Sequence, residues 1–190
     1  MLAERPQRAL ESGPMRTFDE LESLWTALPP QPRERGTVRL LCVRREPGVH
    51  ETPDAVAVTV DGGLDGDRWA HGWQERDPER EAQVTLMNAA VTELVAAGSQ
   101  PLHEAGDNIL VDFDIGAEHL PPGTRLRVGE VLLEISATPH TGCSKFAARF
   151  GQDALRWANW RHWRERRLRG VNARVVESGT VRVGDPIERL

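Results

Sequence analysis

The residues best suited to chemistry lie in one short segment, 137–146, which contains His140, Cys143 and Lys145. An apolar, strand-like run precedes this segment, and a proline and a glycine within it favour a tight loop. A helix is predicted to begin directly after the loop, at Ser144. The sequence therefore predicts a loop that carries an imidazole, a thiol and an amine between a strand and a helix.

Cys143 is the residue on which this chemistry would depend. At a helix N-terminus the free N–H groups and the helix dipole favour an anion, and positive charge on His140 or Lys145 would also lower the pKa of the thiol. This pattern favours a reactive or metal-ligating thiolate. The alternative is an inert cysteine packed beneath a turn, since free cysteines are usually buried. The local sequence leaves both interpretations open.

Other motifs carry less information. His140 and Cys143 supply two metal ligands, whereas a zinc site takes three or four from the protein, so no zinc site is predicted. Lys145 is the only lysine of the chain, so Schiff-base chemistry has a single candidate. The glycine-containing loop 62–69 could present N–H groups to an anion, but it lacks the P-loop ending and is more simply interpreted as a turn.

The net charge of −5 is unevenly distributed. Segment 144–174 contains nine basic and two acidic residues, a net charge of +7, which leaves −12 for the rest of the chain. A basic region beside the thiol loop suits an anionic ligand. A solvated, arginine-rich helix is the alternative interpretation. Nothing in this distribution indicates a nucleic-acid partner.

Composition indicates a globular protein. Of the 190 residues, 39% are hydrophobic and 28% are charged, which is typical of soluble domains. No apolar run approaches the length of a membrane span, and no secretory signal is apparent. The two cysteines, Cys42 and Cys143, are too few for a disulfide framework. We therefore expect a cytoplasmic protein without a membrane partner.

Two regions are predicted along the chain. Residues 1–36 form an N-terminal extension, of which 1–16 are expected to be disordered. A capping box at Thr17 begins one short helix that runs to about Leu28. Residues 37–190 form the main domain, with seven to nine short strands and a few helices. One of these helices is predicted over Asp153–Arg169, with three tryptophans on it packed against the domain.

The order of these elements predicts the fold class. The strands outnumber the helices and do not alternate with them, so a parallel α/β sheet is not expected. The hairpin around Gly129-Glu130 is typical of antiparallel pairing. We predict a mainly β (α+β) protein, built as a closed or nearly closed β-barrel with peripheral helices.

Seven motifs then occur in a recognisable order. They are Gly66-Asp67-Arg68, Val84–Asn88 (VTLMN), Gly106–Ile109 (GDNI), Gly123–Gly129 (GTRLRVG), the Cys143 loop, Arg169–Val175 (RGVNARV) and Gly179–Asp185 (GTVRVGD). In this order the chain resembles the MOSC domain, the C-terminal domain of molybdenum cofactor sulfurase, over residues 37–190. The family fold is a β-barrel, in agreement with the prediction from the elements.

The resemblance implies a site built on one cysteine. Cys143 would either ligate the molybdenum of a bound molybdenum-pterin cofactor or carry sulfur as a persulfide, and a soft thiolate suits both roles. His140 and Lys145 would assist it. Residues that would line or support the cofactor pocket are Asp67, Arg68, Asn88, Asp107, Asn108 and Arg174.

Two functions follow from the resemblance. The first is a molybdenum-dependent oxidoreductase, such as a small reductase of N-hydroxylated compounds, which would need an electron-donor protein. The second is a cofactor-free sulfur carrier or sulfurtransferase loaded by a cysteine desulfurase; a non-catalytic binding module is the remaining alternative. The family is also linked to pyridoxal phosphate through fused desulfurase-like domains, but this chain has only Lys145 to hold it, so that cofactor is not expected.

Overall fold

The computed structural model describes residues 15–190, apart from the side chains of Trp73, His162 and Trp163. Most of the segment predicted to be disordered, 1–16, therefore lies outside the described residues. The protein is mainly β, as predicted, and its centre is a closed barrel.

Seven strands form the barrel, and each pairs with two neighbours. In spatial order they are β1 (Arg35–Leu41), β12 (Pro186–Arg189), β8 (Arg125–Val128), β9 (Val131–Ile135), β10 (Val171–Glu177), β6 (Val84–Asn88) and β7 (Ile109–Asp112), and β7 pairs with β1 to close the ring. Among these described pairs only β6 and β7 run parallel. Closure leaves the barrel without free strand edges.

The hairpin β8–β9 shows how the sequence sets the register. Val128 pairs with Val131 across the two-residue turn Gly129-Glu130. Gly129 has φ +55°, a left-handed conformation that glycine adopts at little cost and that hairpin turns require. The prediction of a hairpin at this position is confirmed.

Within the described residues, five further strands lie outside the barrel. The pair β2 (Val43–Glu46) and β3 (Val49–Glu51) forms a separate hairpin, and β4 (Ala55–Thr59), β5 (Gly63–Leu64) and β11 (Gly179–Arg182) form a small sheet. The twelve described strands exceed the seven to nine predicted. Strands of two or three residues, such as β3 and β5, are too short to show a period-2 pattern.

Four described α-helices cover one side of the barrel: α1 (Phe18–Ala27), α2 (Ala89–Ala96), α3 (Ser144–Phe150) and α4 (Gln152–Ala158). The predicted capping box of α1 is present, because Thr17 Oγ accepts from the N–H of Glu20 and the Glu20 carboxylate accepts from the N–H of Thr17. Shorter turns of helix occur at Trp69–Trp73, Gln74–Arg76, Leu102–Ala105 and Arg161–Arg166.

The single helix predicted over Asp153–Arg169 is wrong. Helix α4 ends at Ala158, and a 3₁₀ helix follows at Arg161–Arg166. At the break, the Asn159 side chain both accepts from the N–H of Gly142 (2.8 Å) and donates to its carbonyl (3.0 Å). Asparagine is a poor helix former because its side chain competes for backbone groups. Here the competing partner lies 17 residues earlier, so the sequence pattern did not reveal it.

The interior contains two apolar clusters. One fills the barrel and the other lies between the barrel wall and the helices. Trp157 is fully buried in the outer cluster, and its indole N–H donates to Glu22 of α1 at 3.0 Å. This cluster joins the N-terminal helix to the segment that follows the thiol loop. No helix in the described part of the chain is both long and apolar enough to cross a membrane.

Candidate functional site

The thiol loop connects β9 to α3. Its first turn is held by Ser136 Oγ, which accepts from the N–H of Thr138 at 2.9 Å, and its end is clamped by the two hydrogen bonds between Gly142 and Asn159. A Cβ at Gly142 would lie 2.7 Å from Leu155 Cδ1, so a larger residue would push the loop away from α4. Cys143 follows as the N-cap residue of α3, as predicted.

A cavity of about 430 Å³ opens beside this loop. One wall is formed by residues 136–141 of the loop and the other by the chain around the 3₁₀ helix and the start of β10. Its polar and aromatic lining comprises Ser136, Thr138, His140, Thr141, Asn159, Trp160, Arg164, Arg167, Arg169 and Asn172. The volume lies in the range of small-molecule sites, and three of the lining side chains are arginines.

Arg169 is held at the base of this cavity by a buried ion pair. Its Nη1 lies 2.8 and 2.6 Å from the two carboxylate oxygens of Asp107. Its Nη2 donates to the carbonyl of Ala105 at 3.1 Å, and the guanidinium lies over the ring of Phe146 at 5.0 Å. Both charged groups are at most 9% exposed. Because the pair is buried and Arg169 has several contacts, the guanidinium keeps one orientation beside the cavity.

Two polar atoms in this region lack a partner within the described residues. They are Nε of Arg169 and Nδ1 of His140, and both are buried. The His140 nitrogen lies 3.4 Å from Asp107 Oδ1, but the alignment is too poor for a hydrogen bond. Leaving such groups unpaired costs about 1–3 kcal/mol each. Both residues line the cavity, while these two atoms are themselves buried from solvent.

The electrostatics favour the thiolate of Cys143. Partial burial alone would raise the pKa of this thiol, but the backbone N–H groups of Phe146 and Lys145 and the charges of Arg169 and Lys145 lower it, and the net pKa is below the ordinary value. These N–H groups form no hydrogen bond to the neutral thiol; their partial positive charge acts on the anion. The direction agrees with the prediction from the sequence.

His140 does not act on the thiol as the sequence suggested. Burial and the charge of Arg169 lower the pKa of His140 to about 4, despite the opposing effect of Asp107. The imidazole is therefore neutral at neutral pH and adds no positive charge beside Cys143. The physical reason is its position, 17% exposed and close to an arginine, and Arg169 takes the role that was expected of His140.

The other cysteine is isolated from solvent. Cys42 is fully buried, and burial raises the pKa of its thiol to about 12. Its sulfur lies 4.0 Å from the carbonyl of His103. The two thiols of the chain thus differ strongly in exposure and acidity, since Cys143 is exposed. Lys145 is exposed as well.

Asp67 and Asn108 form a buried network beside the barrel rather than part of the cavity lining. The Asp67 carboxylate binds the guanidinium of Arg44 through two bonds of 2.9 and 3.0 Å and accepts from Asn108 Nδ2 at 2.9 Å. Asn108 also accepts from the N–H and hydroxyl of Thr85. Burial raises the pKa of Asp67, but its hydrogen bonds and the Arg44 charge lower it by a larger amount. The net pKa is therefore below the ordinary value. Both side chains form hydrogen bonds within the protein, so they hold neighbouring segments together and do not line the cavity.

The remaining predicted site residues lie in different places. Arg68 is half-buried near Arg44, and burial together with the Arg44 charge lowers its pKa. Asn88 caps α2 by accepting from the N–H of Ala90 at 2.9 Å. Arg174 pairs with Glu134 on the neighbouring strand at 2.5 Å. None of Arg68, Asn88 and Arg174 lines the cavity, so their predicted contact with a cofactor stays a prediction.

Of the polar and aromatic residues that line the cavity, only His140 was singled out as a site residue from the sequence; Asn159, Arg164, Arg167 and Arg169 are among those that were missed. The signal that could have identified Arg169 was its place directly before Gly170 in a recognised motif. Gly170 has φ +101°, and a Cβ there would lie 2.3 Å from the carbonyl of Leu86 and 3.2 Å from His140 Nδ1. A glycine under this constraint marks a tightly packed turn, and the arginine before it is fixed in direction.

Comparison with known proteins gives the same fold. A family model, the MOSC domain, matches residues 75–188. No curated protein matches the chain. Among solved structures, the YuaD protein from Bacillus subtilis is 18% identical, with a TM-score of 0.58 over 84% of this chain and 98% of that one. YiiM from Geobacillus stearothermophilus is 17% identical, with a TM-score of 0.55 over 82% of this chain and 75% of that one.

YiiM from Escherichia coli is similar to a comparable degree. It is 16% identical, with a TM-score of 0.53 over 81% of this chain and 69% of that one. At these identities the likeness concerns the fold. The family match spans more than half of the chain and includes the thiol loop, Arg169 and the strands β6 to β12.

Proposed function

The chain belongs to the MOSC domain family, and from that membership we propose that it binds a molybdenum-pterin cofactor through Cys143. The family is linked to molybdenum cofactor binding and sulfur handling. One observation supports the assignment above the others: the loop bearing the thiol, whose pKa is lowered, forms one wall of a cavity that is also lined by His140 and three arginines.

The residues present fit such a cofactor in chemistry. A pterin carries hydrogen-bonding ring atoms and a phosphate, and the cavity offers three arginine side chains and several polar side chains. Arginines bind phosphate through charge-assisted, geometrically specific hydrogen bonds. A thiolate is a soft ligand suited to a heavier transition metal. Arg164, Arg167 and Arg169 would hold the anionic part, and Cys143 would hold the metal.

Each residue then has a defined task. Asp107 fixes the direction of Arg169, whose side chain lines the cavity. Neutral His140 offers a ring nitrogen as a hydrogen-bonding group rather than as a charge. Lys145 adds positive charge beside the thiolate. When bound, the cofactor would supply two-electron chemistry, such as reduction of an N–OH group to N–H with release of water, using electrons from a donor protein.

The experiment is metal and pterin analysis of protein produced in a molybdate-replete host. We expect about one molybdenum and one pterin per chain in the wild type, and we expect Cys143→Ala to lose the molybdenum. Cys42→Ala is the matched control, because its thiol is buried, and it should retain the metal if it folds. Absence of both molybdenum and pterin from the folded wild type would overturn the proposal.

A second function is favoured by one specific feature. Cys143 is exposed and does not itself line the cavity, so a partner protein can reach its sulfur directly. As a sulfur carrier, the Cys143 thiolate would attack the outer sulfur of a desulfurase persulfide. The S–S bond of the donor would break, a new S–S bond would form on Cys143, and the donor thiolate would leave, with no net oxidation.

Intact-mass measurement distinguishes this function from the first. After incubation with a cysteine desulfurase and cysteine, the sulfur-carrier function expects a gain of one sulfur atom by the wild type and by Cys42→Ser. Cys143→Ser should gain none. A gain that persists in Cys143→Ser, or no gain in the wild type, would contradict it.

A further inference from the structure

A second group of metal-ligating side chains lies apart from the cavity. It consists of His50, His103 and Glu104, and one potential ligand atom from each lies within 4.8 Å of those of the other two. His50 belongs to β3 of the separate hairpin, while the other two belong to the 3₁₀ helix Leu102–Ala105. All three side chains are half-buried. Two imidazoles and one carboxylate are a donor set that zinc uses in sites with an open position.

The spacing is close to that of a coordination sphere. Nε2 of His103 lies 3.7 Å from Oε1 of Glu104, and two ligands about 2.0–2.1 Å from a tetrahedral metal lie roughly 3.3 Å apart. The rings of His50 and His103 meet edge to face at 5.9 Å. Nδ1 of His50 is buried and has no hydrogen-bond partner among the described residues. The three side chains therefore already lie close to ligand spacing, and His50 Nδ1 remains available to a metal ion.

Arg149 orients the carboxylate of this group. Its Nε lies 2.8 Å from Oε2 of Glu104, and its Nη1 donates to the Glu104 carbonyl at 2.9 Å. This contact occupies one carboxylate oxygen and leaves Oε1 toward His103. Outer contacts of this kind commonly fix the ligands of metal sites. The arginine charge also opposes a cation, so we expect a weaker affinity than the same ligands would give without it.

We propose that His50, His103 and Glu104 form a binding site for a divalent metal of the zinc class, with one coordination position open to water. The metal would tie the β2–β3 hairpin, which lies outside the barrel, to the segment that leads into Asp107. This site is independent of Cys143.

Titration calorimetry with Zn²⁺ alone tests the proposal. We expect one Zn²⁺ per chain in the wild type and at least a tenfold loss of affinity in both His103→Ala and Glu104→Gln. His71→Ala is the matched control, because His71 is an exposed histidine outside the group, and its affinity should be unchanged. Absence of binding by the wild type, or equal binding by His103→Ala, would overturn the proposal.

Cobalt substitution keeps the test decisive if the variants fail to fold. Co²⁺ bound by two imidazoles and a carboxylate in the wild-type protein should show visible ligand-field absorption without thiolate-to-cobalt charge transfer. A thiolate charge-transfer band without any ligand-field absorption from a nitrogen- and oxygen-bound Co²⁺ would place the metal on a cysteine alone and overturn the proposal. Because the readout is metal binding by the purified chain, failure here would leave the molybdenum assignment of Cys143 unaffected, and the converse also holds.

Discussion

At the scale of single residues, the two cysteines show how position decides reactivity. Cys42 is fully buried, and burial raises the pKa of its thiol to about 12. Cys143 lies at a helix start near Arg169 and Lys145, and its pKa falls. A thiolate is the nucleophile and the metal ligand, so only Cys143 is prepared for either proposed chemistry.

Alkylation as a function of pH measures this difference. In native protein treated with iodoacetamide, Cys143 should react first, and its reaction should have a midpoint below about 8.5, the value of a free thiol. Cys42 should stay unmodified because it is buried and protonated. Peptide mass spectrometry locates the label, and Cys42→Ser should leave the Cys143 profile unchanged. Faster labelling of Cys42, or a Cys143 midpoint above the free-thiol value, would contradict both chemical proposals.

His140 links the site to acid stability. Its pKa is about 4 in the folded protein and about 6.5 in an unfolded chain, so the unfolded state takes up a proton first as the pH falls. Stability contributed by neutral His140 is present above pH 6.5 and is lost between about pH 6.5 and 4. By pH 5 the loss should be about 2 kcal/mol.

Urea unfolding at pH 7 and pH 5 compares the wild type with His140→Gln. The variant should lose less stability on acidification, although some dependence should remain because the pKa values of His50 and His119 are also lowered by burial. His71→Gln, an exposed control, should behave as the wild type. Identical pH dependence in His140→Gln and the wild type would contradict the buried neutral imidazole.

At the scale of elements, the sequence predicted the helix starts and turns that are determined by residues close together in the chain. The Thr17 capping box, the Asn88 cap, the Gly129 hairpin and the helix after Cys143 all depend on residues a few positions apart. The break after Ala158 depends on Asn159 pairing with Gly142, and the Arg169–Asp107 pair joins residues 62 positions apart. Such contacts arise from the tertiary fold, so no periodicity announces them.

The same reasoning explains why the His50 group was missed. His103 and Glu104 are adjacent, but His50 lies more than fifty residues earlier on a strand too short to be predicted. Zinc motifs are recognisable when their ligands are closely spaced in sequence. The hairpin β2–β3 brings the third ligand near only after folding. By contrast, the Cys143 loop contained its thiol and its helix start within one short segment.

Trp157 provides the test at this scale. It lies on α4 and is fully buried, contacts Trp25 of α1 edge to face at 6.4 Å and donates to Glu22 of the same helix α1. Trp157→Ala should therefore reduce the free energy of unfolding by about 3–5 kcal/mol. Trp160 is 41% exposed, and Trp160→Ala should cost about 1 kcal/mol. Equal losses in urea unfolding would contradict the described packing of α4.

At the scale of the whole molecule, the basic segment 144–174 is largely neutralised by the fold. Five of its arginines pair with carboxylates, several on distant elements: Arg149 with Glu104, Arg156 with Asp153, Arg166 with Glu22, Arg169 with Asp107 and Arg174 with Glu134. The excess of positive charge seen in the sequence is therefore concentrated in a few side chains. Of these, Arg164 and Arg167 line the cavity.

This distribution predicts where an anion binds. Inorganic pyrophosphate, a probe for the cofactor phosphate, should bind more weakly by about tenfold in the double variant Arg164→Gln/Arg167→Gln, because two charge-assisted contacts are lost. Arg161→Gln is the matched control: Arg161 belongs to the same 3₁₀ helix as Arg164 but lines an adjoining cavity of about 330 Å³ and not this one. Calorimetry should find its affinity unchanged.

Two further measurements decide whether the effect is electrostatic and local. Arg167 also donates to the carbonyl of Leu120 at 2.6 Å, so its loss could act through stability; Arg164→Gln alone should still weaken binding, with an unchanged unfolding midpoint. The affinity of the wild type for pyrophosphate should fall as salt is raised from low to physiological ionic strength, because salt then screens the exposed charge of Arg164 over about 8 Å. The affinity of Arg164→Gln should depend less steeply on salt. Equal losses of pyrophosphate affinity in Arg161→Gln and Arg164→Gln would mean that binding depends only on the net charge of the helix. That result would contradict the assignment of the cavity as the site of the cofactor phosphate.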